Sequence, residues 1–297
     1  MYKTHTYLLA LFTVLTIFTS CKKEYETTEE LDNRNIKNYK DAHSNLTFVD
    51  VDGYSYSITD PGTGSSVVNT DSVYYSYAFK STSGTVYNQT NDLSISGTLL
   101  GYTDRFAIGG KVYSFSPVRE VLGKLKRGGK ATVLLPSRMA FGKNGLSNFG
   151  IGSNETIVVE LGLYSFEKRH QVDAFEIQTF VTKNNLTLTT DPTGVKYSVS
   201  TPGTGADIIG PHTTFVCNYT LRDLQGVVFQ SGSAVTLRLG EVIPGFAIIG
   251  GKLSVGGKMR MIIPSILGYG PAGSSDGLIP PNTVLDYDVE ITSVTKD

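Results

Sequence analysis

The clearest alternation of apolar residues lies near the C-terminus and predicts β-strands. Met259, Met261 and Ile263 alternate with Arg260 and Ile262, so the sequence predicts a strand that ends before the following proline. A second strand is predicted over 284–291, and a short helix before these strands ends near 253. The loop between the strands contains tyrosine and branched aliphatic residues, although loops are normally polar, and this indicates a binding surface.

A helical spacing of apolar residues appears once between two strand-rich regions. Val172, Phe175, Ile177 and Phe180 recur at intervals that suit a short helix over 171–184. We interpret this helix as a packed linker. A dimerisation helix is the alternative, which leaves a homodimer as an open prediction.

Composition narrows the classes of function. The chain has 297 residues, enough for about two domains, and a formal net charge of −1, which argues against a nucleic-acid-binding protein. Tyrosine, threonine, serine and glycine are abundant and tryptophan is absent, a mixture that favours strands and turns. The four histidines are scattered without the spacing of a metal site or a catalytic triad, so we predict no metal and no cofactor.

The N-terminus carries a targeting signal. A lysine precedes an apolar run over 8–18, which is too short to cross a bilayer and is typical of a signal-peptide core. Thr19 and Ser20 then precede Cys21, and this pattern resembles the lipobox of bacterial lipoproteins. It implies a lipid anchor at Cys21 in the bacterial cell envelope, periplasmic or outer-membrane; a plain secretory signal is the alternative. Cys217 is then the only other cysteine, and strand alternation places it on a buried face.

The chain contains an internal repeat. PGTG at Pro61 recurs at Pro202, 141 positions later, and KLKRGGKATVLLPS at Lys124 recurs as KLSVGGKMRMIIPS at Lys252, 128 positions later. Two copies of one domain are therefore predicted, and the first carries about 13 extra residues before Lys124. We favour a surface insertion for these residues over a partner-binding hairpin.

The second copy resembles the FKBP-type peptidyl-prolyl cis-trans isomerases, the class that binds macrolides such as tacrolimus. The motifs that carry the resemblance follow the order and spacing of that family, and they are VIPGF at 242–246, GGK at 256–258, IPS at 263–265, GYG at 268–270, and IPPN with YDVE within 279–290.

The resemblance implies a site that weakens an imide bond without covalent chemistry. Catalytic residues carried over by position are Tyr219, Phe229, Gln230, Tyr269 and Tyr287. Substrate-binding residues carried over in the same way are Val242, Ile243, Phe246, Leu278 and Ile279. The Tyr269 hydroxyl and the Ile243 amide would each bind a carbonyl. Active members of the family usually have aspartate where this chain has Gln230, which indicates weakened activity, shifted specificity or loss of activity.

The first copy departs further from the family pattern. At the same offset Tyr269 becomes Phe141, Tyr287 becomes Val159 and Phe246 becomes Val118. This copy is therefore expected to act as a spacer, a chaperone-like surface or a dimerisation unit.

The predicted fold class is α+β, with two tandem FKBP-like domains that each wrap a curved antiparallel sheet, a half-barrel, around a short helix. The predicted divisions are a signal peptide (1–20), a lipidated tether (21–45), a degenerate FKBP-like domain (46–166), a helical linker (167–185) and an isomerase domain (186–297). The predicted function is prolyl isomerisation of exported, proline-containing polypeptides. A non-catalytic binding or chaperone module of the same fold is the alternative.

Overall fold

The structure is a computed structural model that describes residues 26–204 and 209–295. The predicted signal peptide and Cys21 lie outside the described residues, so the lipid anchor stays a prediction. In the part of the chain that is described, no helix is both long enough and apolar enough to span a membrane.

Nine strands lie in the first part of the chain, and all their pairings are antiparallel. They are β1 (Val49–Val51), β2 (Tyr54–Asp60), β3 (Ser72–Lys80), β4 (Val86–Gln89), β5 (Gly97–Leu99), β6 (Arg105–Ile108), β7 (Lys111–Ser114), β8 (Lys130–Leu135) and β9 (Ile157–Leu163). The first sheet has the order β1-β2-β8-β9-β3-β4, with β5 paired to β3, while β6 and β7 form a separate hairpin.

Six strands form the second sheet, which is also antiparallel. They are β10 (Thr189–Thr190), β11 (Lys196–Thr201), β12 (Thr214–Arg222), β13 (Val228–Arg238), β14 (Lys258–Ile263) and β15 (Leu285–Thr295). Their order, β10-β11-β14-β15-β12-β13, repeats the order of the first sheet strand for strand. The alternation in the sequence correctly predicted β14 and most of β15.

Among the residues that the structure describes, four α-helices accompany the sheets. They are α1 (Thr28–Ala42), α2 (Ser116–Leu122), α3 (Arg169–Lys183) and α4 (Pro244–Gly250). The short helices α2 and α4 have seven residues each and begin 128 positions apart, the offset of the repeated glycine-lysine segment. Val118 of α2 is buried in the core of the first sheet, and Phe246 of α4 is buried in that of the second. Each sheet therefore covers its core with one short helix.

The longer helices α1 and α3 also correspond, because each has 15 residues and they begin 141 positions apart. The fifth residue of each is a buried aspartate, Asp32 in α1 and Asp173 in α3. Asp32 accepts hydrogen bonds from the backbone N–H and the hydroxyl of Ser137, at 2.8 Å each. Asp173 binds Ser265 in the same way, at 2.9 and 2.7 Å. Residues 28–42, which the sequence analysis assigned to the tether, thus form a helix docked on the first sheet.

Helix α3 lies against both sheets. Val172 is buried beside residues of the first part of the chain, and Ile177 and Phe180 are buried beside residues of the second. A dimerisation helix would need an exposed apolar stripe, whereas these side chains are already covered within the chain. The structure therefore confirms a helix here whose apolar side chains are packed within the chain, and its role as a linker stays a prediction.

The extra residues of the first copy form a hairpin that lies only partly at the surface, because its first strand packs into the core of the first sheet while its second strand is largely exposed. Phe106 and Ile108 of β6 are 3% and 2% exposed and belong to the core of the first sheet. The hairpin turns at Gly109 and Gly110, which both have positive φ, as tight hairpin turns require. Alternation of these apolar residues with exposed neighbours directs them inward.

Candidate functional site

Three buried residues of the second core form the floor of the candidate site. Phe246 and Ile279 are 1% exposed and Tyr287 is 8% exposed. Pro244, at the start of α4, has a fixed φ that suits the first turn of a helix, so the chain enters α4 with Phe246 directed into the core. The Phe246 ring stands edge-on to the Tyr287 ring at a centroid distance of 5.4 Å. Edge-to-face packing of this kind is favourable and fixes the orientation of both rings.

Half-buried apolar side chains surround this floor. Those that pack against the second core are Tyr219, Phe229, Val242, Ile243 and Tyr269. The Tyr219 ring lies 5.5 Å from the Tyr287 ring across neighbouring strands. The structure therefore brings together eight of the ten residues that the sequence predicted for catalysis and substrate binding.

Phe229 and Gln230 lie at a β-bulge in β13. Leu221 pairs with Gln230 and the next residue of β12 pairs with Val228, so Phe229 has no partner in the register. A bulge bends the strand and redirects a side chain, and Phe229 packs against the second core. Leu221 also pairs with Tyr287 on its other side. Gln230 and Tyr287 therefore lie on one face of the sheet, two strands apart.

Tyr269 and Ile279 are presented by the long loop between β14 and β15. The loop is closed by a hydrogen bond from the Ser274 N–H to the Ile279 carbonyl, 2.9 Å long. Gly273 has a φ of 74°, and a Cβ there would lie 2.5 Å from the Ile279 carbonyl oxygen. Only glycine fits this position, so Gly273 is required for this course of the loop. Leu278, by contrast, is 56% exposed and does not join the cluster.

Two hydrogen-bond donors at the rim are free. Within 26–204 and 209–295, neither the Tyr269 hydroxyl nor the Ile243 N–H has a hydrogen-bond partner. Among the same residues only Asn88 and Asp104 have a buried side-chain oxygen without a partner, so the Tyr269 hydroxyl is open to solvent. Both donors are thus available for carbonyl oxygens of a ligand.

The site keeps its tyrosines protonated. Burial raises the pKa of Tyr269, and the neighbouring Tyr219 and Asp276 raise it further. Burial also raises the pKa of Tyr287, with smaller contributions from Tyr219 and Tyr269. An unperturbed tyrosine already titrates near 10. Both hydroxyls therefore act as donors at neutral pH.

Two residues that support the site, Phe215 and Asp173, were not predicted from the sequence. The Phe215 ring stacks on the Phe246 ring at a centroid distance of 6.0 Å. Asp173 anchors Ser265, four residues before Tyr269, and so holds the start of the loop. The separation of Asp32 and Asp173, 141 positions, equals that of the two PGTG segments and could have revealed the second support.

The corresponding space in the first sheet is filled by aromatic rings. Phe141 occupies the position of Tyr269 and contacts the Tyr113 and Phe115 rings at 5.2 and 5.5 Å. Tyr113 comes from the inserted hairpin, whose Phe106 lies 5.0 Å from the buried Phe79 ring. No equivalent of the Tyr269 hydroxyl is present at this position.

A second concave surface lies on the opposite face of the second sheet. This groove, of about 700 Å³, is lined mainly by polar side chains such as Asn218, Lys258 and Asp288. Binding sites for apolar rings are lined mostly by hydrophobic and aromatic side chains. We therefore place the candidate site at Phe246 and Tyr287 and not in this polar groove.

Comparison with known proteins gives the family of the second part of the chain. The sequence model of a family described as FKBP-type peptidyl-prolyl cis-trans isomerase matches residues 207–292. FK506-binding protein 1 of Saccharomyces cerevisiae is 39% identical over 106 residues, which cover 34% of this chain and 92% of the yeast protein. The chain belongs to this family. The reaction class of FKBP-type proteins is the cis-trans isomerisation of peptidyl-prolyl bonds.

Two bacterial members are also similar. The FKBP-type peptidyl-prolyl cis-trans isomerase FkpA of Aeromonas hydrophila is 38% identical over 112 residues, covering 35% of this chain and 39% of that protein. The outer membrane protein MIP of Legionella longbeachae is 33% identical over 109 residues, covering 35% of this chain and 46% of that protein. The chain thus spans less than half of each bacterial relative.

Proposed function

We propose that the second sheet with helices α3 and α4 is a catalytic peptidyl-prolyl isomerase unit that acts on proline-containing segments of exported proteins. The observation that carries the proposal is the aromatic floor of Phe246 and Tyr287 beneath the free hydroxyl of Tyr269. The first sheet is a second, degenerate copy without isomerase activity, because rings of its own chain fill the corresponding space.

The reaction needs little more than a shaped, water-poor surface. Rotation about a peptide bond has a barrier of roughly 18–20 kcal/mol, because resonance separates charge between oxygen and nitrogen. A proline ring on Phe246 would lie among apolar side chains, where the charge-separated planar amide is poorly solvated. The Tyr269 hydroxyl and the Ile243 N–H would bind flanking carbonyls and hold the twisted geometry. Each tenfold acceleration requires only about 1.4 kcal/mol.

Gln230 supports a second candidate function, a binding or chaperone module without useful turnover. Active members of the family usually carry aspartate at this position. Glutamine can still form hydrogen bonds but carries no charge. Gln230 shares a face of the sheet with Tyr287, two strands away, and this supports an effect of the missing charge on the site.

Measurement of cis-trans conversion of a short prolyl peptide by the full chain separates the two functions. Turnover that falls about two- to tenfold in Tyr269→Phe supports the isomerase, since one hydrogen bond to a neutral carbonyl is lost. Phe141→Tyr, the reciprocal change in the first sheet, is the matched control and should change nothing. A wild-type chain that is inactive, together with an active Gln230→Asp variant, supports the binding module.

We also infer that the chain is lipid-anchored in the cell envelope through Cys21. The small residues before Cys21 and the similarity to a relative named as an outer membrane protein support this inference. Metabolic labelling with a fatty-acid analogue tests it, and Cys217, the second of the two cysteines, provides the control. Cys21→Ser should abolish the label and Cys217→Ser should retain it; the reverse result, or label in both variants, refutes the anchor.

A further inference from the structure

A cleft between the two sheets opens beside the candidate site. It has a volume of about 860 Å³, within the usual range for ligand-binding clefts. One wall is the continuous segment Leu93–Leu99, which contains β5. The opposite wall contains Phe229 and the segment 280–284 of the long loop that presents Tyr269. The cleft therefore joins the first sheet to the rim of the site.

The first wall presents the edge of a strand. Successive side chains of a strand point to opposite faces, yet seven consecutive residues from Leu93 to Leu99 line this cleft. The backbone of this segment therefore forms part of the wall, and because the Ile95 N–H and C=O are bonded to α3, the open edge is that of β5. Within the described part of the chain, β5 pairs only with β3, so its other edge has unpaired N–H and C=O groups. Such an edge is a template for an added extended chain.

The opposite wall complements this edge. Pro280 and Pro281 carry no backbone N–H, so they offer ring surfaces rather than ladder hydrogen bonds. Phe229 and Val227, which is 56% exposed, extend this apolar surface at the β12–β13 turn. The β5 wall can thus bind the backbone of an extended peptide, while the opposite wall accommodates its apolar side chains.

Specific hydrogen bonds fix this wall to helix α3 and to the β12–β13 turn of the second sheet. The buried Glu176 carboxylate accepts a hydrogen bond from the Ile95 N–H at 2.6 Å, and Arg169 donates to the Ile95 carbonyl at 2.7 Å. The Asn91 side chain also donates to the Gln225 side chain at 2.7 Å, directly between the two sheets. The cleft is therefore preorganised rather than formed on binding.

We propose that this cleft binds the extended polypeptide segment that flanks the substrate proline, as a strand added to β5. The proposal rests on the isomerase function above and deepens it. Phe229 belongs both to the rim of the site and to the cleft, and Pro280 follows the floor residue Ile279 directly. A chain that places its proline on Phe246 can therefore continue along β5. The protein then prefers long unfolded chains to short prolyl peptides.

The test compares a four-residue prolyl peptide with an unstructured twelve-residue peptide that has one central proline. The full chain is assayed for binding by fluorescence anisotropy and for turnover by exchange spectroscopy. Leu99→Glu places a charge on the β5 wall, and Ser96→Trp fills part of the cleft. Both residues are exposed and lie outside the candidate isomerase site. The matched control is Val112→Glu, at a 72% exposed position on the inserted hairpin.

The wild type should bind the long peptide at least tenfold more tightly than the short one. Both cleft variants should remove most of this advantage and leave turnover of the short peptide within twofold, while Val112→Glu leaves both unchanged. Equal affinity of the wild type for the two peptides overturns the proposal, as does an unchanged advantage in both cleft variants. If the wild type does not turn over the short peptide, the isomerase proposal fails by itself, and the anisotropy comparison still decides the cleft.

Discussion

The aspartate of α3 that holds the loop of the candidate site gives the most direct test of the structure. The Asp173 side chain is 1% exposed and accepts three hydrogen bonds, from the Ser265 N–H and hydroxyl and from Arg169 Nε at 2.6 Å. Asp173→Ala leaves both Ser265 donors buried without an acceptor. Each such donor costs about 1–3 kcal/mol, and loss of one partner of a buried ion pair costs about 3–5 kcal/mol. These costs overlap, so we expect the free energy of unfolding to fall by about 3–5 kcal/mol.

The first sheet supplies a matched variant. Asp32 also accepts three hydrogen bonds, two from Ser137 and one from the Thr156 hydroxyl at 2.7 Å. Asp32→Ala should therefore destabilise the protein in urea titrations, by an amount similar to that of Asp173→Ala. Turnover of a short prolyl peptide should fall only in Asp173→Ala, because only Ser265 begins the loop that presents Tyr269.

Two results would refute this reasoning. One is an Asp173→Ala variant with unchanged unfolding, which would mean that the carboxylate does not hold the loop. The other is an equal loss of turnover in both variants under conditions where each remains folded. Asp173→Asn retains the shape and one acceptor, so it should lie between wild type and Asp173→Ala in both measurements.

Three further outcomes follow from buried groups. Burial raises the pKa of Glu176 to about 7 despite the Arg169 guanidinium beside it, so the folded state retains a proton that the unfolded state loses near pH 4.3. The free energy of unfolding should then decrease as pH rises from about 4.5 to 7, by at most about 3 kcal/mol, and this slope should be absent from urea titrations of Glu176→Gln. Phe106→Ala should lower stability by about 3–5 kcal/mol without loss of prolyl turnover, whereas Val112→Ala should change neither. Burial raises the pKa of the Cys217 thiol to about 11, so thiol labelling followed by peptide mass analysis should detect modification there only after unfolding; rapid native labelling would contradict the buried position.

Hydrophobic periodicity predicted two strands of the second sheet and one helix. It placed Cys217 on a buried strand face, and this side chain is 0% exposed. It also predicted the helix over 171–184, which the structure gives as Arg169–Lys183. These elements were predictable because each buries an apolar face, and hydrophobic periodicity reflects such burial. The family resemblance then supplied the rim residues, which no periodic pattern selects.

Hydrophobic periodicity does not predict elements that dock through polar groups. Helix α1 buries Asp32, and a carboxylate that docks a helix leaves no apolar stripe to detect. The prediction for the inserted hairpin was incomplete for another reason. Gly109 and Gly110 between alternating residues are a hairpin signal, but the high content of turn residues favoured a surface insertion. Leu278 was assigned to the site from its position in the family motif, whereas its 56% exposure is set by the local course of the loop.

The docking of α3 also determines where the C-terminal unit can be separated from the rest. A truncation that begins at Leu186 would keep every strand of the second sheet but would remove the carboxylate that Ser265 requires. We expect such a fragment to expose apolar surface and to aggregate, whereas one that begins before Lys168 retains the anchor. The smallest transplantable module is therefore a helix together with its sheet, and chimaeras that exchange the two halves should be joined ahead of that helix.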